Sequence, residues 1–183
     1  MKKFIFIIFS TFLLTGCFHY EELNSLSIIS NIAVKYQDDK YSVVMQEIIP
    51  KMEGNKINYV YKYRSSKDKS LSKAFKNIIN HSPKKIYLNK VQNIIFYDKN
   101  KKTAIESFLK YSKDITINQE LSLVITEDDV LKTLKISSDY KYIDSVLKNK
   151  KTTLRKIKKS DKIKVPIIKI SDKELIFKKY FYL

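Results

Sequence analysis

The sequence predicts an α+β (mixed α/β) fold, a mixed β-sheet with helices packed against it. Two periodicities carry that prediction. Apolar residues alternate in runs such as Ile57, Tyr59, Tyr61 and Tyr63, and elsewhere they fall at i, i+3, i+4, i+7 and i+8, as Leu71, Ala74, Phe75, Ile78 and Ile79 do. The first spacing belongs to a strand and the second to one face of a helix. A third observation excludes a purely parallel arrangement: the two kinds of segment interleave without a strict strand–helix–strand rhythm. No internal repeat is visible.

The chain opens on a segment that stands apart from this fold. Met1-Lys2-Lys3 is a short basic start, and Phe4 to Leu14 is apolar except for Ser10 and Thr11. Eleven residues are too few to cross a bilayer as a helix, which takes about 20; they suit an export signal. Leu14-Thr15-Gly16-Cys17 follows, the pattern of a bacterial lipobox. It predicts a leader over residues 1–16, cleavage before Cys17 and lipidation of the Cys17 thiol. Cys17 is the single cysteine, so the mature chain forms no internal disulfide. Two acyl chains on Cys17 give lasting attachment where one is marginal.

The elements of the mature chain are read in order. Leu26, Ile28, Ile32 and Val34 share one face of a first strand, and Tyr41 to Ile49 form a second. Glu53-Gly54-Asn55 is a turn, followed by the strand with Tyr59, Tyr61 and Tyr63 on one face, read as a half-buried sheet face with its hydroxyls in water. The helix of Leu71 to Ile79 is closed by Pro83. Ile86 to Leu88 and Val91 to Tyr97 are further strands. Thr103-x-x-Glu106 is read as a capping box opening a helix with Ile105, Phe108 and Leu109 inward. Leu121 to Ile125 is a strand, and Thr126 is read as the cap of a helix whose first turn is Glu127-Asp128-Asp129. A last helix carries Tyr142, Ile143, Val146 and Leu147 after Ser138. Between Lys148 and Lys164, nine of seventeen residues are basic, and the stretch is read as a solvated connector or a membrane-facing patch. Ile163 to Ile170 and Leu175 to Phe181 close the chain as strands. The expected organisation is a domain over 17–150, then a lysine-rich connector and the start of a second domain over 151–183.

Charge and residue types narrow the function classes. After loss of Lys2 and Lys3 with the leader, 34 basic residues face 19 acidic ones in 167 residues. Only Arg64 and Arg155 are arginines, whereas phosphate and base recognition favours the arginine fork, so no nucleic-acid partner is expected. The joint abundance of Lys, Ile, Asn, Tyr and Phe reads as drift toward A/T-rich codons, while attraction to an anionic membrane or wall polymer stays open. With two glycines the chain holds no phosphate loop and no Gly-x-Ser-x-Gly elbow. His19 and His81 are the only histidines; His19 lies next to the anchor and His81 at a helix end. No cluster of metal ligands and no catalytic constellation is visible, and no cofactor is expected. A carboxylate pair acting on a glycosidic bond stays open, so an anchored envelope enzyme or an enzyme inhibitor is the alternative reading. A solute-binding lipoprotein is a third, for which 167 residues are short.

Gly16-Cys17-Phe18-His19-Tyr20-Glu21-Glu22-Leu23-Asn24-Ser25-Leu26 resembles the mature N-terminus of the Ger(x)C lipoproteins, the C subunits of spore germinant receptors. Collinear similarity continues through Lys40 to Pro50, Ser70 to Phe75, Lys84 to Leu88, Ile94-Ile95, Ile105 to Ile136 and Val165 to Ile168. The chain departs from the family pattern at Phe18, Asn31, Lys35 and Asn89-Lys90, where the family has Trp, Gly, an acidic residue and Gly-His. The resemblance implies a lipid-anchored, non-catalytic subunit on the outer face of the inner spore membrane. It also implies A and B membrane subunits as partners in nutrient-triggered germination. Family members continue through further domains, so a chain ending at Leu183, just inside the second, is expected to be a single-domain paralogue, a truncated form or half of a split gene.

Overall fold

A computed structural model describes residues 25–136, 142–160 and 163–183. Eight strands form a single mixed sheet: β1 (Leu26–Gln37), β2 (Lys40–Glu53), β3 (Lys56–Asp68), β4 (Lys85–Tyr87), β5 (Asn93–Tyr97), β6 (Ser122–Thr126), β7 (Lys164–Ser171) and β8 (Glu174–Tyr182). Their spatial order is β3-β2-β1-β5-β6-β7-β8, with β4 beside the first residues of β1. Strands β4 and β5 both run parallel to β1, one after the other along it. Strands β5, β6 and β7 are parallel to one another, and antiparallel pairs close both edges. The predicted α+β class is the observed one.

The hairpins use tight turns. Asp38 and Asp39 both have positive φ, as do Asp172 and Lys173. Positive φ at both central residues matches the right-handed twist of the flanking strands. Gly54, at φ 61°, opens the turn of the β2–β3 hairpin.

Helices cover both faces. Helix α1 (Leu71–Asn80), α2 (Lys101–Tyr111) and α5 (Leu154–Ile157) pack on one side, where Phe75, Phe96, Phe108 and Ile105 are fully buried against Ile32, Val34 and Met45. On the other side α3 (Val130–Ile136) and α4 (Tyr142–Leu147) bury Leu134, Ile143 and Leu147 against Ala33, Ile95 and Val124. The face predicted for α1 is the buried one, with Ile79 at its margin.

Three local expectations are corrected. In β1, Ile29 rather than Ile28 shares the core face with Ile32 and Val34, because Ser30 is an extra residue in the ladder to β2: Ile29 pairs with Glu47 and Asn31 with Gln46. A bulge shifts the alternation by one position. Thr103 does not cap α2; the helix starts at Lys101 after Asn100, which has left-handed φ 58°. Thr126 is the buried last residue of β6, and Asp129 is the cap of α3, its carboxylate accepting from the Leu131 and Lys132 amides at 3.0 Å each.

The lysine-rich stretch is only partly solvated. Leu154 and Ile157 are three apart on α5 and enter the core, while Arg155, Lys156, Lys158 and Lys159 face water. The stretch is pinned to the start of β6 by the Leu123 amide on the Thr152 carbonyl at 2.9 Å and the Leu154 amide on the Leu121 carbonyl at 3.0 Å. Strands β7 and β8, beyond the boundary expected at residue 150, are hydrogen-bonded into the sheet of the residues before it. Cys17, His19 and Ser138 lie outside the described residues, and no described helix is long and apolar enough to cross a membrane.

Candidate interaction surface

The residues singled out for chemistry are held in structural roles. His81 is the C-cap of α1, its Nδ1 2.8 Å from the Asn77 carbonyl. The acidic triplet diverges, as three adjacent carboxylates around a helix start must. Glu127 pairs with Lys178 at 2.8 Å, Asp128 accepts from the Ile170 amide, and Asp129 caps α3. Among the described residues no three His, Cys, Asp or Glu side chains come together as metal ligands do.

A buried polar row, unmarked by any spacing in the sequence, crosses one face of the sheet. Gln46 Oε1 accepts from Asn31 Nδ2 at 2.6 Å and from the Ser30 hydroxyl at 2.9 Å, and Asn93 Nδ2 donates to Asn31 Oδ1 at 3.0 Å. These residues are essentially inaccessible to solvent. On the opposite face Arg64 forks onto one oxygen of the buried Glu47, Nη2 at 3.0 Å and Nε at 3.2 Å. Two tyrosines have raised pKa values. The Tyr36 phenol donates to Asp39 at 3.1 Å, which holds its proton on; burial pushes up the Tyr111 phenol, with Asp114 adding to it.

Two surface features stand out among the described residues, a protruding hairpin and a hollow near the far edge. The β2–β3 hairpin runs past the β1 ladder, which begins at Ile28 opposite Ile48, for five further pairs, from Ile49 with Val60 to Glu53 with Lys56. Along one face of it, Ile48, Pro50 and Met52 stand opposite Tyr61, Tyr59 and Ile57. Met52 is 72 % exposed and Ile57 56 %. The aromatic face expected to be half-buried is so only near Tyr61 and Tyr63; toward the tip its residues are exposed. Near the other edge, a 260 Å³ hollow is lined by Lys151, Thr152, Lys156, Lys164 and Tyr180 among others. Lys151 is paired there with Asp144 at 2.7 Å, and Lys164 lies over the Tyr180 ring.

Residues 19–164 match the family model described as the spore germination protein N-terminal domain. The chain belongs to this family. The Ger(x)C resemblance read from the segments after Cys17 is therefore borne out, and the chain has a role in spore germination. Comparison with curated proteins and with solved structures finds no match. In this spore germination domain the family match takes in six of the eight strands whole, all five described helices and the polar row, and it ends at the first residue of β7.

Proposed function

We propose that this chain is the lipid-anchored C-type subunit of a spore germinant receptor. It works without catalysis, beside A and B membrane subunits, in nutrient-triggered germination. The observation that carries this reading is the family match over residues 19–164, which begins two residues after Cys17. The lipobox Leu14-Thr15-Gly16-Cys17 supports an anchor at that point.

Physical reasoning ties the parts together. Acylation of Cys17 holds the domain in a thin layer above the outer face of the inner spore membrane, and confinement raises effective concentration, so a weak protein–protein contact is sufficient for assembly. Such a subunit needs a rigid body with exposed binding faces, and a sheet buried on both sides supplies one. His81 and the triplet Glu127, Asp128 and Asp129 are engaged in capping and pairing, which suits a scaffold.

Affinity capture of the native lipoprotein from spore membranes tests the reading. Recovery of multi-span membrane proteins, lost when Cys17→Ala releases the chain from the bilayer, is the expected result. Capture of no membrane protein together with hydrolysis of an envelope polymer by the purified chain would favour the envelope-enzyme reading instead.

A further inference from the structure

We propose that the end of the sheet where β1 begins is a membrane-docking surface, with the tip of the β2–β3 hairpin seated among the headgroups of an anionic bilayer. The proposal rests on the Cys17 anchor proposed above and deepens it by giving the domain an orientation.

Strand direction fixes which features share that end. Strands β1, β4, β5, β6 and β7 all run the same way, so their first residues lie at one end of the sheet. The chain from Cys17 arrives there, at Leu26. Only eight residues separate the two, and at about 3.5 Å per residue they reach at most ~30 Å. An acylated Cys17 therefore keeps this end, rather than the other, close to the bilayer.

The hairpin tip belongs to the same end, because β2 runs antiparallel to β1 and its last residues pass the beginning of the β1 ladder. Five further pairs at about 3.3 Å carry the tip roughly 16 Å beyond it. The tip exposes Met52 and Ile57 as a direct cross-strand pair, and Val60, 38 % exposed, on the opposite face. Lys51, Lys56 and Lys62 flank these apolar side chains, against Glu53 alone.

Further basic residues crowd the same end. Lys84 precedes β4, and residues 148–160, held against the start of β6, carry seven basic side chains and no acidic one. The opposite end is more balanced: Asp38-Asp39 after β1, Glu127-Asp128-Asp129 after β6 and Asp172 after β7 stand there with Lys40, Lys99, Lys101, Lys102 and Lys173. The fold thus presents its positive end where the anchor enters. Apolar side chains rimmed by lysine suit the boundary between acyl chains and anionic headgroups. The cores of protein–protein interfaces are depleted in lysine, which favours lipid over protein as the occupant.

Site-directed fluorescence on the full lipoprotein tests this. Met52→Cys, or Lys99→Cys at the opposite end, is labelled with an environment-sensitive dye, and the protein is reconstituted into phosphatidylglycerol–phosphatidylethanolamine vesicles containing a nitroxide lipid. Quenching at position 52 should be severalfold stronger than at position 99, and Lys51→Glu with Lys56→Glu should reduce it. Equal quenching at the two positions would overturn the proposal. So would protection of position 52 that appears only after spore-membrane proteins are added, which would make the hairpin a protein contact. The mass of the N-terminal peptide reports acylation in the same sample. An unacylated Cys17 overturns the anchor, while quenching at position 52 still decides the docking.

Discussion

Gln46 donates its side-chain amide to the main-chain carbonyl of Leu134 at 3.2 Å, joining an inner strand of the sheet to the last turn of α3. The final carbonyls of a helix have no partner within it, and here a strand residue supplies one. The Gln46 oxygen meanwhile gathers the Ser30 hydroxyl and the Asn31 amide. Gln46→Leu keeps the volume and removes all of these bonds, leaving buried groups unpaired, at a cost of about 2–4 kcal/mol. Urea unfolding checks this; a variant as stable as the parent would show that the row contributes nothing.

Phe75 tests the helix side of the core. It is fully buried, its ring 5.0 Å from that of Tyr111 and tilted by 56° to it. Phe75→Ala should destabilise the domain by about 3–5 kcal/mol, while Lys76→Ala, an exposed change, should stay within about 0.5 kcal/mol. Equal melting shifts for the two variants would mean that the wrong face of α1 has been placed against the sheet.

Capping distinguishes two candidates of similar sequence appearance. Asp129→Ala should cost about 1 kcal/mol, because it removes the acceptor for two free amides at the start of α3. Thr103→Ala, at an exposed position inside α2, should change stability very little. The pair is measured in one thermal unfolding series.

Burial of Tyr111 predicts a limit on the alkaline side. Its folded pKa is raised above that of the unfolded chain, so the folded state holds this proton more tightly. The associated stability is fully present below the unfolded tyrosine pKa, near 10. It is lost as pH rises through the folded value. Tyr111→Phe should therefore flatten the loss of stability above about pH 10, read by unfolding at stepped pH.

Periodic segments were legible in the sequence because burial writes itself into spacing. The inward set of α1, with Leu71, Ala74, Phe75 and Ile78, is the observed one. Phase and exact boundaries were harder to read. One extra residue at Ser30 moves Ile29 into the place assigned to Ile28, and nothing in Ile28-Ile29-Ser30-Asn31 announces a bulge. Asp129 and Thr126 are both acceptable cap residues, and the choice falls to tertiary structure, since Thr126 is needed as the end of β6. Leu154 and Ile157 were hidden among lysines, where two apolar residues three apart make a weak signal. The polar row depends on strands far apart in sequence, so spacing could not reveal it. The hairpin tip was legible as a strand; its exposure depends on where the helices end.

The anchor has its own test. Cys17→Ala should abolish labelling by a fatty-acid probe and leave the precursor uncut, because the thiol is the proposed acyl acceptor. Equal labelling of the two proteins would remove Cys17 from the account.

The proposed role of the chain, an anchored, non-catalytic receptor subunit in germination, is tested most directly by the germination rate of spores supplied with nutrient. Spores lacking the gene, or carrying only the Cys17→Ala form, should lose refractility more slowly than the parent, with the wild-type gene restoring the rate. Deletion spores that germinate at the parental rate would contradict the account.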